Sequence, residues 1–227
     1  MVSSSKTIAQ ENVFLDRLPR VTRAAFLSFT SFDFLKSPGW YLAGGTALSL
    51  QVGHRQSVDL DFFLEKKNFQ ETRIERILLE KGEWATVLRQ KGTLYGIFNG
   101  AKVSFIAYPF FHPSSSFLRC GTVKIILPDD IAAMKIIALS QRGRKRDFVD
   151  LYWYCNYCGL LDETIHRAIS QYPDQKHSLP HFLKSLVYFA DAEGDPMPKL
   201  FFKADWKTIK AYFRREVPII TRRMLRL

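Results

Sequence analysis

Leu42-Ala-Gly-Gly-Thr-Ala-Leu-Ser-Leu50, followed by Gly53-His-Arg-Gln-Ser-Val-Asp-Leu-Asp-Phe-Phe63, is the stretch from which the fold is read. Trp40 to Ala43 is a short apolar run suited to a buried strand. Gly44-Gly45 breaks it, and Thr46 to Val52 reads as a helix that starts at a Thr cap. Val58 to Leu64 then alternates. Val58, Leu60 and Phe62 face one way, and Asp59, Asp61 and Phe63 face the other.

This order carries chemistry. Two glycines at a strand-to-helix turn let the backbone approach a phosphate closely. The helix N-terminus behind them offers N–H groups and the positive end of a dipole. Asp59 and Asp61, two apart on a strand, project from one face, and their charges repel unless a cation lies between them. Oxygen ligands of this kind suit Mg²⁺ or Mn²⁺, which also bridge triphosphate oxygens. The competing reading is a solvated strand face. It fits poorly, because the flanking apolar residues make this a central strand, where unpaired charge is expensive.

Working outward, residues 11–36 fit an amphipathic helix broken near Pro19. Asn68 to Lys81 fits a second. Trp84–Arg89, Thr93–Phe98, Lys102–Tyr108 and Val123–Leu127 read as strands, with Asn99-Gly100 as a hairpin turn. Beyond Pro128 only helices are expected, over 129–139, 145–158, 162–171, 180–191 and 205–216. Strands followed by helices make an α+β protein: a mixed sheet with flanking helices over residues 1–128, then a helical part over 129–227.

Composition narrows the class. Of 227 residues 47% are hydrophobic, which excludes a disordered chain. Thirty-three Lys and Arg against twenty-two Asp and Glu give a net charge of +11, which favours a polyanionic partner such as RNA or a nucleotide. No apolar run reaches the ~18 residues of a membrane span. With three Cys and no signal-like N-terminus, a soluble cytoplasmic protein with reduced thiols is expected. Cys155-Asn-Tyr-Cys158 has metal-like spacing but no second pair of ligands, so packing on a helix is the better reading.

The first block resembles the opening motif of the AbiEii/AbiGii family of nucleotidyltransferase toxins, which are similar to DNA polymerase β-like enzymes. A second block, Ile131-Ala-Ala-Met-Lys135 with Arg142 and Lys145-Arg-Asp-Phe-Val-Asp150, resembles that family's Lys-bearing helix and Arg-Asp-x-x-Asp motif. A third, Asp191-Ala-Glu-Gly-Asp-Pro-Met-Pro198 before Asp205-Trp206, resembles the tail of a subset of it. The resemblance implies Mg²⁺-dependent transfer of a nucleotide from an NTP to an RNA, tRNA in particular, or to a protein acceptor. It also implies a toxin with a cognate antitoxin. Gly44, Gly45 and Thr46 would hold the triphosphate, and Asp59 and Asp61 the metal. Lys135 would neutralise phosphate charge, and Asp150, or else Asp147, would complete the site. The nucleotide cleft would lie between the two parts.

One position departs from the pattern. Polymerase β-like transferases carry a third carboxylate on a later strand, and Ser104 stands where that Asp would be. The departure leaves a second function open, a catalytically degenerate nucleotide- or RNA-binding module of the same fold. Arg55 touches phosphate or pairs with Asp59 or Asp61. Ser57 joins the carboxylate face if the strand extends that far. The run Arg142-Gly-Arg-Lys-Arg146 grips phosphate or forms a solvated turn, with Arg146 paired to Asp147 or Asp150.

Overall fold

In the computed structural model, residues 6–7, 13–114, 116–173 and 179–225 are described. The chain divides into two compact units, Met1–Leu127 and Pro128–Leu227.

The first unit runs β1 (Lys6–Thr7), α1 (Arg20–Phe29), β2 (Trp40–Ala43), α2 (Gly44–Val52), β3 (Asp59–Leu64), α3 (Glu71–Lys81), β4 (Trp84–Gln90), β5 (Thr93–Phe98), β6 (Ala101–Ala107), β7 (Phe117–Cys120) and β8 (Val123–Ile126). The strands form one sheet in the order β1-β7-β8-β2-β3-β6-β5-β4. It is mixed, because β3 runs antiparallel to β2 and parallel to β6. Asn99 and Gly100 both have positive φ, +47° and +81°, as a two-residue turn matched to strand twist requires.

Burial sets the orientation of the central strands. Leu60, Phe62, Phe98 and Phe105 are buried together with Phe29 of α1. Phe29 lies 5.0 Å from Phe62 and 5.1 Å from Phe98, ring to ring. Such ring pairs contribute roughly 0.5–1.5 kcal/mol each beyond the area they bury. This aromatic face of β3 is the inner one. Its partner face, with Asp59, Asp61 and Phe63, is half open.

Several sequence expectations need correction. Val58 precedes the strand and is 47% exposed, and its carbonyl accepts a bond from Thr22 Oγ1. The first helix is shorter than expected: Pro19 stands at its N-cap, and short 3₁₀ turns flank it at Leu15–Arg17 and Asp33–Lys36. The helix expected from Asn68 begins at Glu71, after an extended Gln70. Strands β1 and β7 were not anticipated, since each is too short to show alternation.

The second unit holds α4 (Pro128–Gln141), α5 (Lys145–Tyr157), α6 (Leu161–Gln171), α7 (Leu179–Ser185), α8 (Ala190–Glu193) and α9 (Trp206–Leu225). The helix expected over 180–191 is two helices. The last helix continues through Pro218 to Leu225. Val217 and Ile220 remain buried on its inner face while Pro218 faces solvent, where water can satisfy the carbonyl that loses its N–H partner. Among the described residues no helix is long and apolar enough to cross a membrane.

Candidate functional site

Asp59, Asp61 and Phe63 occupy one face of β3, half-buried, while Leu60, Phe62 and Leu64 are buried on the other. The carboxylate of Asp61 lies against the glycine turn. A Cβ added to Gly44 would sit 3.1 Å from Asp61 Oδ2, and Gly44 has φ +75°, a left-handed conformation that favours glycine. The other Asp61 oxygen, Oδ1, accepts a hydrogen bond of 2.9 Å from Ser104 Oγ. Ser104 is the in-register neighbour of Asp61 on the parallel strand β6, the place where the third carboxylate was sought.

Thr46 does not cap its helix. The N-cap of α2 is Ala43, with no side-chain capping bond. Thr46 is the third helical residue, and its buried hydroxyl reaches Ser57 Oγ at 2.9 Å and also the Asp59 carbonyl. These bonds tie the first turn of α2 to the start of β3. By geometry the first N–H groups of a helix have no acceptor inside it, so the turn at Gly44-Gly45 presents donors.

Beneath the turn lie Arg55 and Ser57, both buried. A Cβ on Gly45 would fall 2.0 Å from Arg55 Nη2 and 3.3 Å from Ser57 Oγ, so any side chain there would displace the Arg55 guanidinium. Arg55 Nη1 donates to the Gln56 carbonyl at 2.9 Å. Arg55, only 4% exposed, therefore supports the turn from below. Ser57 does not lie on the strand, which begins at Asp59; its place near Asp59 comes from the bond with Thr46.

The donor set can be tested against a divalent cation. Among the described residues no group of three or more His, Cys, Asp or Glu could hold a metal ion. A preformed all-protein cage is therefore not present in that set. Mg²⁺, however, is usually bound by one or two carboxylates, with water and substrate phosphates completing its shell. Two carboxylates on one strand face, one of them against the glycine turn, fit a cation of that kind.

In the second unit Lys135 lies between two aspartates. Its Nζ is 2.6 Å from Asp147 Oδ1 and 2.7 Å from Asp150 Oδ2, and both aspartates are fully buried. Asp147 Oδ2 has no hydrogen-bond partner among the described residues, and Arg142 Nε stands 3.6 Å away. The Lys135 ammonium is thus shared by two buried carboxylates, and Arg142 approaches one of them from the solvent side.

The basic run 142–146 is partly structural. Arg144 pairs with Asp195 at 2.6 Å, and the backbone N–H of Lys145 donates to the same carboxylate at 3.0 Å. Lys145 Nζ donates to the Glu193 carbonyl and lies 5.2 Å from the Trp206 ring. The Asp191–Pro198 block is thus a latch on the first turn of α5, a role that its sequence did not suggest. Arg142 and Arg146 are exposed. Cys155, on α5, is half-buried and burial pushes its thiol up to about 12, while Cys158, just past the helix end, is exposed.

Comparison with known proteins gives consistent relatives. Residues 31–109 and 109–223 match the family described as nucleotidyl transferase AbiEii toxin, type IV toxin–antitoxin system. The uncharacterized protein aq_aa25 of Aquifex aeolicus (strain VF5) is 33% identical over 182 residues, covering 78% of this chain and 86% of that protein. Two solved structures share the fold. A candidate nucleotidyltransferase from H. pylori has a TM-score of 0.53 at 16% identity, covering 91% of this chain and 97% of its own. The nucleotidyltransferase toxin MenT4 (Rv2826c) of Mycobacterium tuberculosis H37Rv has a TM-score of 0.53 at 15% identity, covering 89% and 86%.

Proposed function

The chain belongs to the AbiEii nucleotidyltransferase toxin family, and from this we propose that it transfers a nucleotide from an NTP to an RNA acceptor, tRNA included, with Mg²⁺ or Mn²⁺ held by Asp59 and Asp61. The observation that carries the reading is the Asp61 carboxylate set against Gly44 on the half-open face of β3. A bound divalent ion would neutralise triphosphate charge and favour the ionised form of the attacking hydroxyl.

The chain's own groups supply position. The N–H groups of Gly44, Gly45 and Thr46 face the triphosphate, and Arg55 and Ser57 hold that turn in place. Ser104 fixes the rotation of Asp61 through Oδ1, leaving Oδ2 toward the turn. An acceptor hydroxyl attacks the α-phosphorus and a new P–O bond forms. The bond to the bridging oxygen breaks, pyrophosphate leaves, and the hydroxyl proton passes to solvent. In the second unit Lys135, Asp147 and Asp150 act as one charged cluster, and the exposed Arg146 offers a cation to polyanions. A cognate antitoxin restrains the activity, and the cytoplasm supplies NTP and RNA.

Ser104 favours a second reading, in which the site binds nucleotide without transferring it. Incubating the chain with each labelled NTP, Mg²⁺ and total RNA separates the two: label on RNA supports transfer, and NTP binding with no labelled RNA supports the binding module. Ser104→Asp is a sharper probe. A third carboxylate should raise Mg²⁺ affinity about tenfold, because added ligand charge tightens oxygen sites. It should also lower thermal stability without metal, through repulsion on neighbouring strands. Unchanged Mg²⁺ affinity in that variant would mean that position 104 does not face the cation.

A further inference from the structure

The pairing registers lay out the carboxylate face as a grid. Asp61 pairs with Ser104 on β6, and Ser104 pairs with Tyr95 on β5. One row away, Asp59 pairs with Lys102, and Lys102 with Ile97. Burial alternates in the same phase on all three strands. Leu94, Gly96, Phe98, Val103 and Phe105 are buried on the inner face, whereas Tyr95 and Ser104 are half-buried and Lys102 and Ile97 exposed on the outer. With strands spaced about 4.8 Å apart, the Tyr95 backbone lies roughly 10 Å from that of Asp61.

Exposed positions on the outer face of a sheet are normally polar. This one places an aromatic ring, an aliphatic side chain that is 39% exposed and a cation in adjoining positions beside the two carboxylates. The combination matches a specific chemistry. Single-stranded nucleic acid is held by rings that stack on bases and by cations that meet phosphates.

We propose that the β5–β6 face is the acceptor platform of the site: Tyr95 stacks on an unpaired base of a single-stranded RNA end, Ile97 extends that apolar surface, and Lys102 meets a backbone phosphate. The assignment rests on the transferase reading above and adds the residues that select an unpaired acceptor. The platform lies on the Ser104 side of the carboxylates, and the glycine turn that faces the triphosphate lies toward β2. Acceptor and nucleotide therefore approach Asp61 over different neighbouring strands, β6 and β2.

Affinity for a short single-stranded oligoribonucleotide with a free 3′-hydroxyl, measured by fluorescence anisotropy without NTP, tests the platform alone. Tyr95→Ala should weaken binding about tenfold, in line with the loss of one stacked base. Tyr95→Phe should retain wild-type affinity within about twofold, because the ring remains. Lys102→Gln should reduce the dependence of log affinity on log salt by about one, the signature of one lost phosphate contact. A blunt duplex of the same sequence should bind more weakly and be indifferent to Tyr95→Ala. The proposal is overturned if Tyr95→Ala, folded by its melting curve, binds the single strand like wild type. It is equally overturned if the duplex binds as tightly with the same dependence on Tyr95. NTP binding is measured separately by calorimetry. Ring-dependent RNA binding without transfer would retain the platform and refute the transferase reading, and transfer with a ring-independent acceptor would do the reverse.

Discussion

Asp61→Asn is expected to lower nucleotide transfer by about a thousandfold or more while the protein remains folded. The substitution keeps the size of the side chain and an oxygen that can accept the Ser104 bond, but removes the charge. Charge is the property that holds a cation and, through it, the triphosphate. Loss of one group that acts mainly in the transition state costs roughly 3–4 kcal/mol, or two to three orders of magnitude. Loss of metal adds to that figure. Stability should hold or rise slightly without metal, because two like charges on one strand become one. Transfer of labelled nucleotide to RNA and a melting curve by circular dichroism would check both parts. Activity within tenfold of wild type would remove Asp61 from the chemistry.

The second large effect is on stability. Lys135→Met keeps the length of the side chain but leaves Asp147 and Asp150 buried with no ammonium between them. Removing one partner of a buried ionic group typically costs about 3–5 kcal/mol, since the remaining charge stays desolvated. For a chain of this size that corresponds to a melting temperature lower by roughly 10 °C. Adding Asp147→Asn and Asp150→Asn to Lys135→Met should recover much of the loss, because the buried charges are then gone. If the cluster takes part in the reaction, the refolded triple variant should still be inactive in transfer, which separates support of the fold from participation. A Lys135→Met melting curve that overlays wild type would contradict the buried cluster.

The parts of the fold that could be read from sequence were those with local causes. Alternation from Asp59 to Leu64 marked β3 because one face meets the Phe29 cluster and the other does not. Asn99-Gly100 marked a turn because both residues must adopt positive φ. Thr46 was misread as a cap because a Thr after two glycines has the right local chemistry, and nothing local shows that Ser57 and Asp59 compete for its hydroxyl. The helix running through Pro218 was missed for a related reason, since Val217 and Ile220 are held by contacts that the local pattern does not reveal.

The site follows the same division. Gly44, Gly45, Asp59 and Asp61 stood out because they are close in sequence and chemically unusual there. Tyr95 and Lys102 did not, because their relation to the carboxylates depends on which strands adjoin and in which register. Asp195 reaches the first turn of α5 from fifty residues away. Lys135 was found by family resemblance, but its ties to both Asp147 and Asp150 became visible only with the helices in place.

The central claim is that Asp59 and Asp61 hold the cation that brings the nucleotide. Titrating NTP into the wild-type chain and into the Asp59→Asn/Asp61→Asn double variant by calorimetry, each with and without Mg²⁺, tests it most directly. Wild type should bind NTP only with Mg²⁺, and the folded double variant should show no Mg²⁺-dependent binding. Equal Mg²⁺-dependent affinity in both proteins would contradict the assignment of the site.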